Sequence, residues 1–195
     1  MTGGYAGRIL RVNLTTRSIG TMDTEKYEAY GGGHGMGSAI FFDLVGDQLP
    51  FEAFDPRNLV IMMGHPFAGT FMPGSGRCEV QGLGPMYYPI EWFAHSNFGG
   101  RFTAQMKYAG WDGIVVEGAA DAPVWINVID DRVRIESAKG IWGMDTWDTQ
   151  EEISRRVVPG LKYGEWTDVD DRFTTQIPAV VCCGIAGENK SRLGA

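Results

Sequence analysis

Cysteine is scarce in this sequence, and its scarcity limits the metal and redox chemistry that the chain can support alone. The 195 residues contain three cysteines, Cys78, Cys182 and Cys183, at no spacing typical of a disulfide framework. An iron–sulfur cluster typically takes four thiolates, so an ordinary four-cysteine cluster is excluded within this chain. Residues 177–183 are predicted to form a buried strand. Because free cysteine behaves as a small hydrophobic residue, all three cysteines are interpreted as buried apolar residues.

Several other absences exclude whole classes of protein. No apolar run approaches the roughly 20 residues that a membrane-spanning helix needs, and no leader peptide is visible, so we expect a soluble, cytoplasmic protein that does not contact a membrane. The net charge is −7 and lysine and arginine do not cluster, which argues against nucleic acid as a partner. The sequence contains neither the phosphate-binding motif of P-loop NTPases nor the nucleophile elbow of α/β-hydrolases.

Glycine, in contrast, is abundant. The chain has 28 glycines without a collagen-like period, which indicates tight turns or places where the backbone approaches another group closely. The apolar patterning predicts strands over residues 7–14, 18–22, 59–63, 113–117, 124–129 and 132–136, with another beginning at residue 77. It predicts helices over residues 24–30, 38–45 and 101–108, and one capped by Thr149; residues 159–176 are predicted to be a surface insertion. The predicted fold is therefore α+β, with mostly antiparallel sheets and a few helices.

Three glycine-containing loops are candidates for binding phosphate, because glycine lets backbone N–H groups approach an anion. Residues 31–37 do not fit the dinucleotide-binding fingerprint, and a tightly packed or flexible connection is the alternative there. Arg77 follows a Gly-Ser-Gly turn and offers a fork of donors, unless it is an ordinary surface arginine. Asn97 precedes Gly99 and Gly100, where its carbonyl oxygen is suited to Mg²⁺; the alternative is a helix N-cap.

The three histidines, His34, His65 and His95, show no spacing typical of a metal site. A lone histidine is most often a structural residue that forms hydrogen bonds, and that is the expectation for each of them.

The order of the motifs along the chain resembles the aldehyde ferredoxin oxidoreductase family. The resemblance begins with GRILRVNLTT, continues through DPRNLVI and GSGR, and covers essentially the whole chain. Its most specific parts are residues 97–118, NFGGRFTAQMKYAGWDGIVVEG, together with the GIAGEN motif that begins at Gly184.

This resemblance implies a particular cofactor. Members of the family carry tungsten, sometimes molybdenum, held by two pyranopterins with a [4Fe–4S] cluster nearby, and the N-terminal domain forms the base on which the pterins lie. Arg77, Asn97 and Gly99, with Gly100 beside them, match family positions that contact the pterins or the Mg²⁺ bridging their phosphates; Asn97 would be the Mg²⁺ ligand. The cluster ligands and catalytic residues are expected outside residues 1–195, so the chain is expected to be a fragment of a longer enzyme.

The resemblance also implies a reaction. Most members oxidise aldehydes to carboxylic acids and pass electrons to ferredoxin or to an iron–sulfur or flavin subunit, and an oligomer is expected. Two alternatives remain open: a relative with the same cofactor that reduces aryl-CoA thioesters, and a non-catalytic module that binds pterin or phosphate. Phe71 and Met72 depart from the family pattern, being bulkier than the small residues usual after the Ala-Gly-Thr motif.

Overall fold

The structure, a computed structural model, describes residues 3–87, 89–159 and 177–193. The chain divides into two compact units, Met1–Ser137 and Ala138–Ala195. Most of the predicted surface insertion at residues 159–176 lies outside the described residues. The strands are β1 (Arg8–Asn13), β2 (Ser18–Asp23), β3 (Leu59–Met63), β4 (Cys78–Gly84), β5 (Trp92–Phe98), β6 (Gly113–Glu117), β7 (Val124–Ile129) and β8 (Arg132–Ser137). The α-helices are α1 (Gly33–Val45), α2 (Phe102–Tyr108), α3 (Thr146–Val157) and α4 (Gly184–Glu188).

The first unit is built on a six-stranded sheet in the order β2-β1-β6-β3-β4-β5. The neighbours β1 and β6 are parallel, and every other neighbouring pair in this sheet is antiparallel. Strands β7 and β8 form a separate antiparallel hairpin, whose turn places Asp130 at a φ of 51°. These pairings confirm the predicted α+β fold with mostly antiparallel sheets.

One face of the six-stranded sheet, here called the α1 face, is covered by helix α1. Strand alternation places Ile61 and Met63 on this face, and Met36, Ile40 and Phe41 of the helix pack against them. All five of these side chains are buried. This contact fixes α1 over strands β3 and β4, with its N-terminal end near the first residues of β4.

The opposite face is covered by helix α2 and the hairpin of β7 and β8. Leu10, Val12 and Ile114 are buried there with Met106 of α2 and Trp111. The Trp111 indole N–H donates to the carbonyl of Asp130 at 3.0 Å, which ties the hairpin turn to the segment before β6. The central strands β1, β6 and β3 are therefore packed on both sides over most of their length and support the residues at the edge of the sheet.

Asp112 joins the start of the chain to this sheet. Its carboxylate accepts hydrogen bonds from the backbone N–H groups of Ala6 and Gly7, from the Thr24 hydroxyl and from the Lys107 ammonium group. The short helix predicted from Thr24 is present as a 3₁₀ helix, Thr24–Tyr30, but the Thr24 hydroxyl bonds to Asp112. Asp112 is therefore an organising centre of the first unit.

Helix α1 begins five residues earlier than the sequence suggests, so residues 33–37 are helical and do not form a loop. Glycine disfavours a helix by about 1 kcal/mol relative to alanine, which is why the sequence favours a loop here. Close packing compensates for this preference. A Cβ on Gly37 would lie 2.5 Å from Gln81 Oε1, and one on Gly35 would lie 2.4 Å from the Tyr30 carbonyl oxygen.

The second unit contains α3 and α4, and two predictions for it are wrong. Helix α3 is capped by Asp145, whose carboxylate accepts from the N–H groups of Trp147 and Asp148; Thr149 lies inside the helix. Residues 177–183 form no strand and pair with no other strand among the described residues. An apolar run alone does not distinguish a strand from an extended segment that lacks a pairing partner.

Candidate functional site

Strands β4 and β5 carry a row of polar side chains at the edge of the sheet. Glu79 pairs with Asn97 and Gln81 pairs with His95, so these four side chains lie on the α1 face. Helix α1 covers Gln81, which is 2% exposed, whereas Asn97 and His95 extend past the helix and are exposed. The polar row therefore begins beneath the N-terminal end of α1 and continues to the open edge of the sheet.

Arg77 and Asn97, predicted separately from two loops, are in direct contact. The Arg77 guanidinium Nη1 donates to Asn97 Oδ1 at 2.6 Å, and both side chains are exposed. The alternative that Asn97 is a helix N-cap is wrong, because Asn97 lies in β5 and the residue that precedes α2 is Arg101. Sequence analysis missed β5 because its aromatic and polar residues show little periodicity; pairing with β4 holds it as a strand.

Gly99 and Gly100 directly follow β5, beside this pair. Apart from its two neighbours in the chain, no described residue has a heavy atom within 4 Å of the position that a Cβ on Gly99 would take, and the φ of Gly99 lies outside the left-handed region. Neither packing nor backbone conformation therefore explains glycine at this position. Gly100 has a φ of 92° and needs glycine for the turn into α2. An open surface at Gly99 is where a group from outside the chain could approach the backbone.

The polar row also contains a cluster of two imidazoles and one carboxylate. Nδ1 of His95 lies 2.9 Å from Glu79 Oε1, and Nδ1 of His34 lies 3.3 Å from the same oxygen. The two rings meet edge to face, with centroids 4.4 Å apart. The spacing of the histidines in the sequence does not indicate this cluster, although His34 and His95 each lie within hydrogen-bonding distance of Glu79, as expected of structural histidines. Both imidazoles reach Glu79 because α1 begins at Gly33, which places His34 in its first turn, and because the pairing of β5 with β4 brings His95 beside Glu79.

The cysteines lie in different environments. Cys78 is fully buried at the start of β4, and burial raises the pKa of its thiol to about 11, so it stays protonated at neutral pH. The interpretation of all three cysteines as buried is wrong for the other two, because Cys182 is half-buried and Cys183 is exposed. Burial of the thiol raises the pKa of Cys182 and of Cys183 above the usual value.

Within the described residues, none of the helices combines the length and the apolar character required to cross a lipid bilayer.

Comparison with known proteins gives one consistent family. The model of the "Aldehyde ferredoxin oxidoreductase, N-terminal domain" family matches residues 9–195. Two proteins named tungsten-containing aldehyde ferredoxin oxidoreductase, from Pyrococcus abyssi and Pyrococcus horikoshii, are each 36% identical to this chain over 194 residues. These alignments cover 98% of the chain and 28% of each relative, so the chain spans between a quarter and a third of their length.

A solved structure shows the same relationship in three dimensions. The active-site complex BamBC of benzoyl coenzyme A reductase, determined with 1,5-dienoyl-CoA, contains a chain that is 30% identical and superimposes with a TM-score of 0.74. The match covers 80% of this chain and 24% of the other. With a family model matched over nearly its full length, this chain belongs to the aldehyde ferredoxin oxidoreductase family of oxidoreductases, as an N-terminal domain of that family.

Proposed function

We propose that this chain is the cofactor-binding base of a longer, cytoplasmic tungsten enzyme that oxidises aldehydes to carboxylic acids. Each turnover would consume one aldehyde and one water and release the acid, two protons and two electrons. The metal held by two pyranopterins would supply the two-electron redox chemistry. The residues of this chain would bind and orient that cofactor, and the catalytic residues would lie outside residues 1–195.

The observation that carries this proposal is the contact between Arg77 and Asn97 beside the open backbone at Gly99. A guanidinium group presents a planar fork of donors that matches phosphate, and a carboxamide offers both a donor and an acceptor. Both side chains are exposed at the edge of a sheet whose central strands are packed on both faces, so they have a rigid support and remain accessible. Gly99 and Gly100 leave room for a phosphate or a pterin ring edge to approach.

These residues also fit the Mg²⁺ that would bridge the pterin phosphates. An amide oxygen is a hard ligand of the kind that Mg²⁺ prefers, and this ion normally keeps waters and phosphates as its remaining ligands. Asn97 Oδ1 now accepts from Arg77. A phosphate arriving at the site would offer the guanidinium a stronger, charge-assisted partner, which would leave the Asn97 oxygen available to the cation.

The electrons would leave through a [4Fe–4S] cluster whose ligands lie outside this chain, and would reach ferredoxin or an iron–sulfur or flavin subunit. Assembly with such subunits, and oligomerisation of the enzyme, belong to the same proposal. The acidic chain, with a net charge of −7, would favour partners with a basic docking surface.

Reduction of an aryl-CoA thioester with the same cofactor is the second candidate, and the similarity to the benzoyl coenzyme A reductase complex favours it. The two candidates differ in substrate, so they are separated by assaying the complete enzyme with aldehydes and with aryl-CoA thioesters. Turnover of aldehydes with reduction of ferredoxin would support the first candidate. Activity with aryl-CoA thioesters alone would refute it.

The cofactor-binding role is tested with Arg77→Ala and Asn97→Ala in the complete enzyme, with tungsten and pterin measured per polypeptide. Loss of a hydrogen bond to a charged group is worth about 1.5–3 kcal/mol, so each variant should bind the cofactor roughly 10- to 100-fold more weakly. Arg132→Ala, a change at an exposed arginine in β8, is the matched control and should keep normal tungsten content.

Thermal unfolding of the cofactor-free proteins completes the test. Asn97→Ala should lower cofactor content far more than it lowers the unfolding temperature of the cofactor-free protein. An equal loss in both, or normal tungsten content in both variants, would show that this pair is merely part of the fold.

A further inference from the structure

We propose that His34, Glu79 and His95 form a binding site for a divalent transition-metal ion, separate from the pterin site. Imidazole nitrogens with one carboxylate oxygen are the ligand set preferred by Zn²⁺, Fe²⁺ and neighbouring ions. The inference uses only the geometry of these side chains and does not depend on the proposed pterin-binding function.

The distances suit an ion held at the centre of the three groups. One ligand atom from each residue lies within 4.8 Å of the others, and the two nitrogen-to-oxygen distances are 2.9 and 3.3 Å. Metal–ligand bonds of 2.0–2.2 Å place adjacent ligand atoms about 2.9 Å apart in an octahedron and about 3.3 Å apart in a tetrahedron. The side chains would therefore need only small movements to coordinate an ion, and the remaining positions would be open to water or another ligand.

The hydrogen bonds around His34 give an independent reason to expect a cation. Gln81 Nε2 donates to the backbone carbonyl of His34 at 3.0 Å, which fixes the orientation of the amide, and also lies 3.2 Å from His34 Nδ1. In the tautomer without a proton on Nδ1, this nitrogen accepts from Gln81, yet the carboxylate oxygen of Glu79 lies 3.3 Å from it. Two acceptors facing each other repel, and a proton on Nδ1 would instead face the amide N–H of Gln81.

A metal ion resolves this conflict. It would bind the lone pair of His34 Nδ1 and the Glu79 oxygen together, in exchange for the contact between Nδ1 and Gln81. Gln81 would keep its bond to the His34 carbonyl and would hold the first turn of α1 in place. Glu79 is suited to a ligand role because its side chain is only 13% exposed, whereas the imidazoles are 54% and 57% exposed and leave the ion open to solvent.

The site is built from three separate elements, α1, β4 and β5. Because β4 and β5 are paired along seven residues and α1 packs on β4, the three ligand residues are held without support from a loop. Rigid placement lowers the ordering entropy that metal binding would otherwise have to overcome. Asn97 lies directly across from Glu79 and forms its own contact with Arg77, so the two sites are neighbours on one strand pair and share no ligand.

The test uses crystals of the complete protein soaked in Zn²⁺ and anomalous diffraction measured at the zinc edge. We expect a peak between the two Nδ1 atoms and Glu79 Oε1. Absence of a peak there, with the three side chains ordered, would overturn the inference and leave a pair of histidine–glutamate hydrogen bonds.

Titration with Co²⁺ in solution, followed by its d–d absorption, provides the second measurement. Changing either histidine ligand, as in His34→Gln or His95→Gln, should weaken Co²⁺ binding at this site at least about tenfold. His65→Gln, which changes the histidine outside the cluster, is the matched control and should bind Co²⁺ as the unmodified protein does. Equal absorption changes in all three variants and the unmodified protein would contradict the proposed site.

Discussion

Replacement of Asp112 by alanine should strongly destabilise the first unit. Asp112 is 3% exposed and accepts from the N–H groups of Ala6 and Gly7 at 2.8 Å each, from Thr24 Oγ1 at 2.7 Å and from the Lys107 ammonium. The variant would leave all of these donors without the carboxylate. The Lys107 side chain is only 9% exposed, so its charge would lose its partner in a place with little access to water.

The magnitude follows from the buried charge. Removal of one partner of a buried ion pair typically destabilises a protein by about 3–5 kcal/mol, and we expect a loss of that size. Asp131→Ala is the matched control, because Asp131 also pairs with a cation, Arg8, but its side chain is 77% exposed. An exposed pair contributes about 0–1 kcal/mol, so the two variants should differ by roughly 2 kcal/mol or more.

Urea-induced unfolding at pH 7 measures the difference, and hydrogen exchange at the amides of Ala6 and Gly7 locates it. Faster exchange at both amides is expected in Asp112→Ala and ordinary exchange in Asp131→Ala. If the two variants unfold within about 1 kcal/mol of each other, the carboxylate is not the organising centre that its contacts suggest.

The pH dependence of this difference provides a check on its sign. Burial alone would raise the pKa of Asp112, but hydrogen bonds from Lys107, Ala6 and Thr24 outweigh that effect and lower the pKa below its ordinary value of 3.8. The ionised carboxylate therefore stabilises the folded state above pH 3.8, and this contribution is lost as the pH falls through the lower folded pKa. The gap between the unmodified protein and Asp112→Ala should shrink as the pH is lowered from 7 towards 3.

Two further changes test the packing of the sheet and the capping of α3. Gly82→Ala should destabilise the protein by at least about 1 kcal/mol in a urea titration, because the added Cβ would lie 2.2 Å from the Leu59 carbonyl oxygen. Gly20→Ala is the control and should be close to neutral, because its Cβ would have no atom within 4 Å apart from those of the adjacent residues. Asp145→Ala should destabilise α3 by about 1 kcal/mol through loss of its N-cap, whereas Asp145→Asn should keep most of the stability of the helix because asparagine also caps helices. Equal loss of helical circular dichroism in both variants would contradict the capping role.

The sequence predicts the central strands well because their pattern is set by burial. The runs at β3 and β6 are apolar since most of their side chains are covered on both faces, with Val60 the exposed exception in β3. Strand β1 alternates because Arg11 leaves the core to pair with Glu117. Prediction fails where packing or pairing overrides local preference. The glycines at the start of α1 favour a loop in the sequence, but the close approach of Gly37 to Gln81 accommodates a helix. Residues 177–183 are apolar but have no partner strand among the described residues.

The candidate site is only half predictable for the same reason. Arg77, Asn97 and Gly99 are found from loop chemistry and from the family resemblance. Glu79 and His95 acquire a common location only through the pairing of β4 with β5, which the irregular sequence of β5 conceals.

The position of both proposed sites follows from the location of the N-terminal end of helix α1. Along the α1 face of β4, Leu83 and Gln81 are covered by the helix, so these positions must be apolar or fully hydrogen-bonded. At the N-terminal end of α1 this cover stops: Glu79 still contacts His34 in the first turn of the helix, whereas Arg77, just before β4, is exposed. The exposed side chains of Arg77, His95 and Asn97 incur little desolvation penalty, and the strand pair beneath still holds them in place. Folding therefore places few demands on the exposed side chains of this edge, and this agrees with the ion and phosphate binding proposed for it.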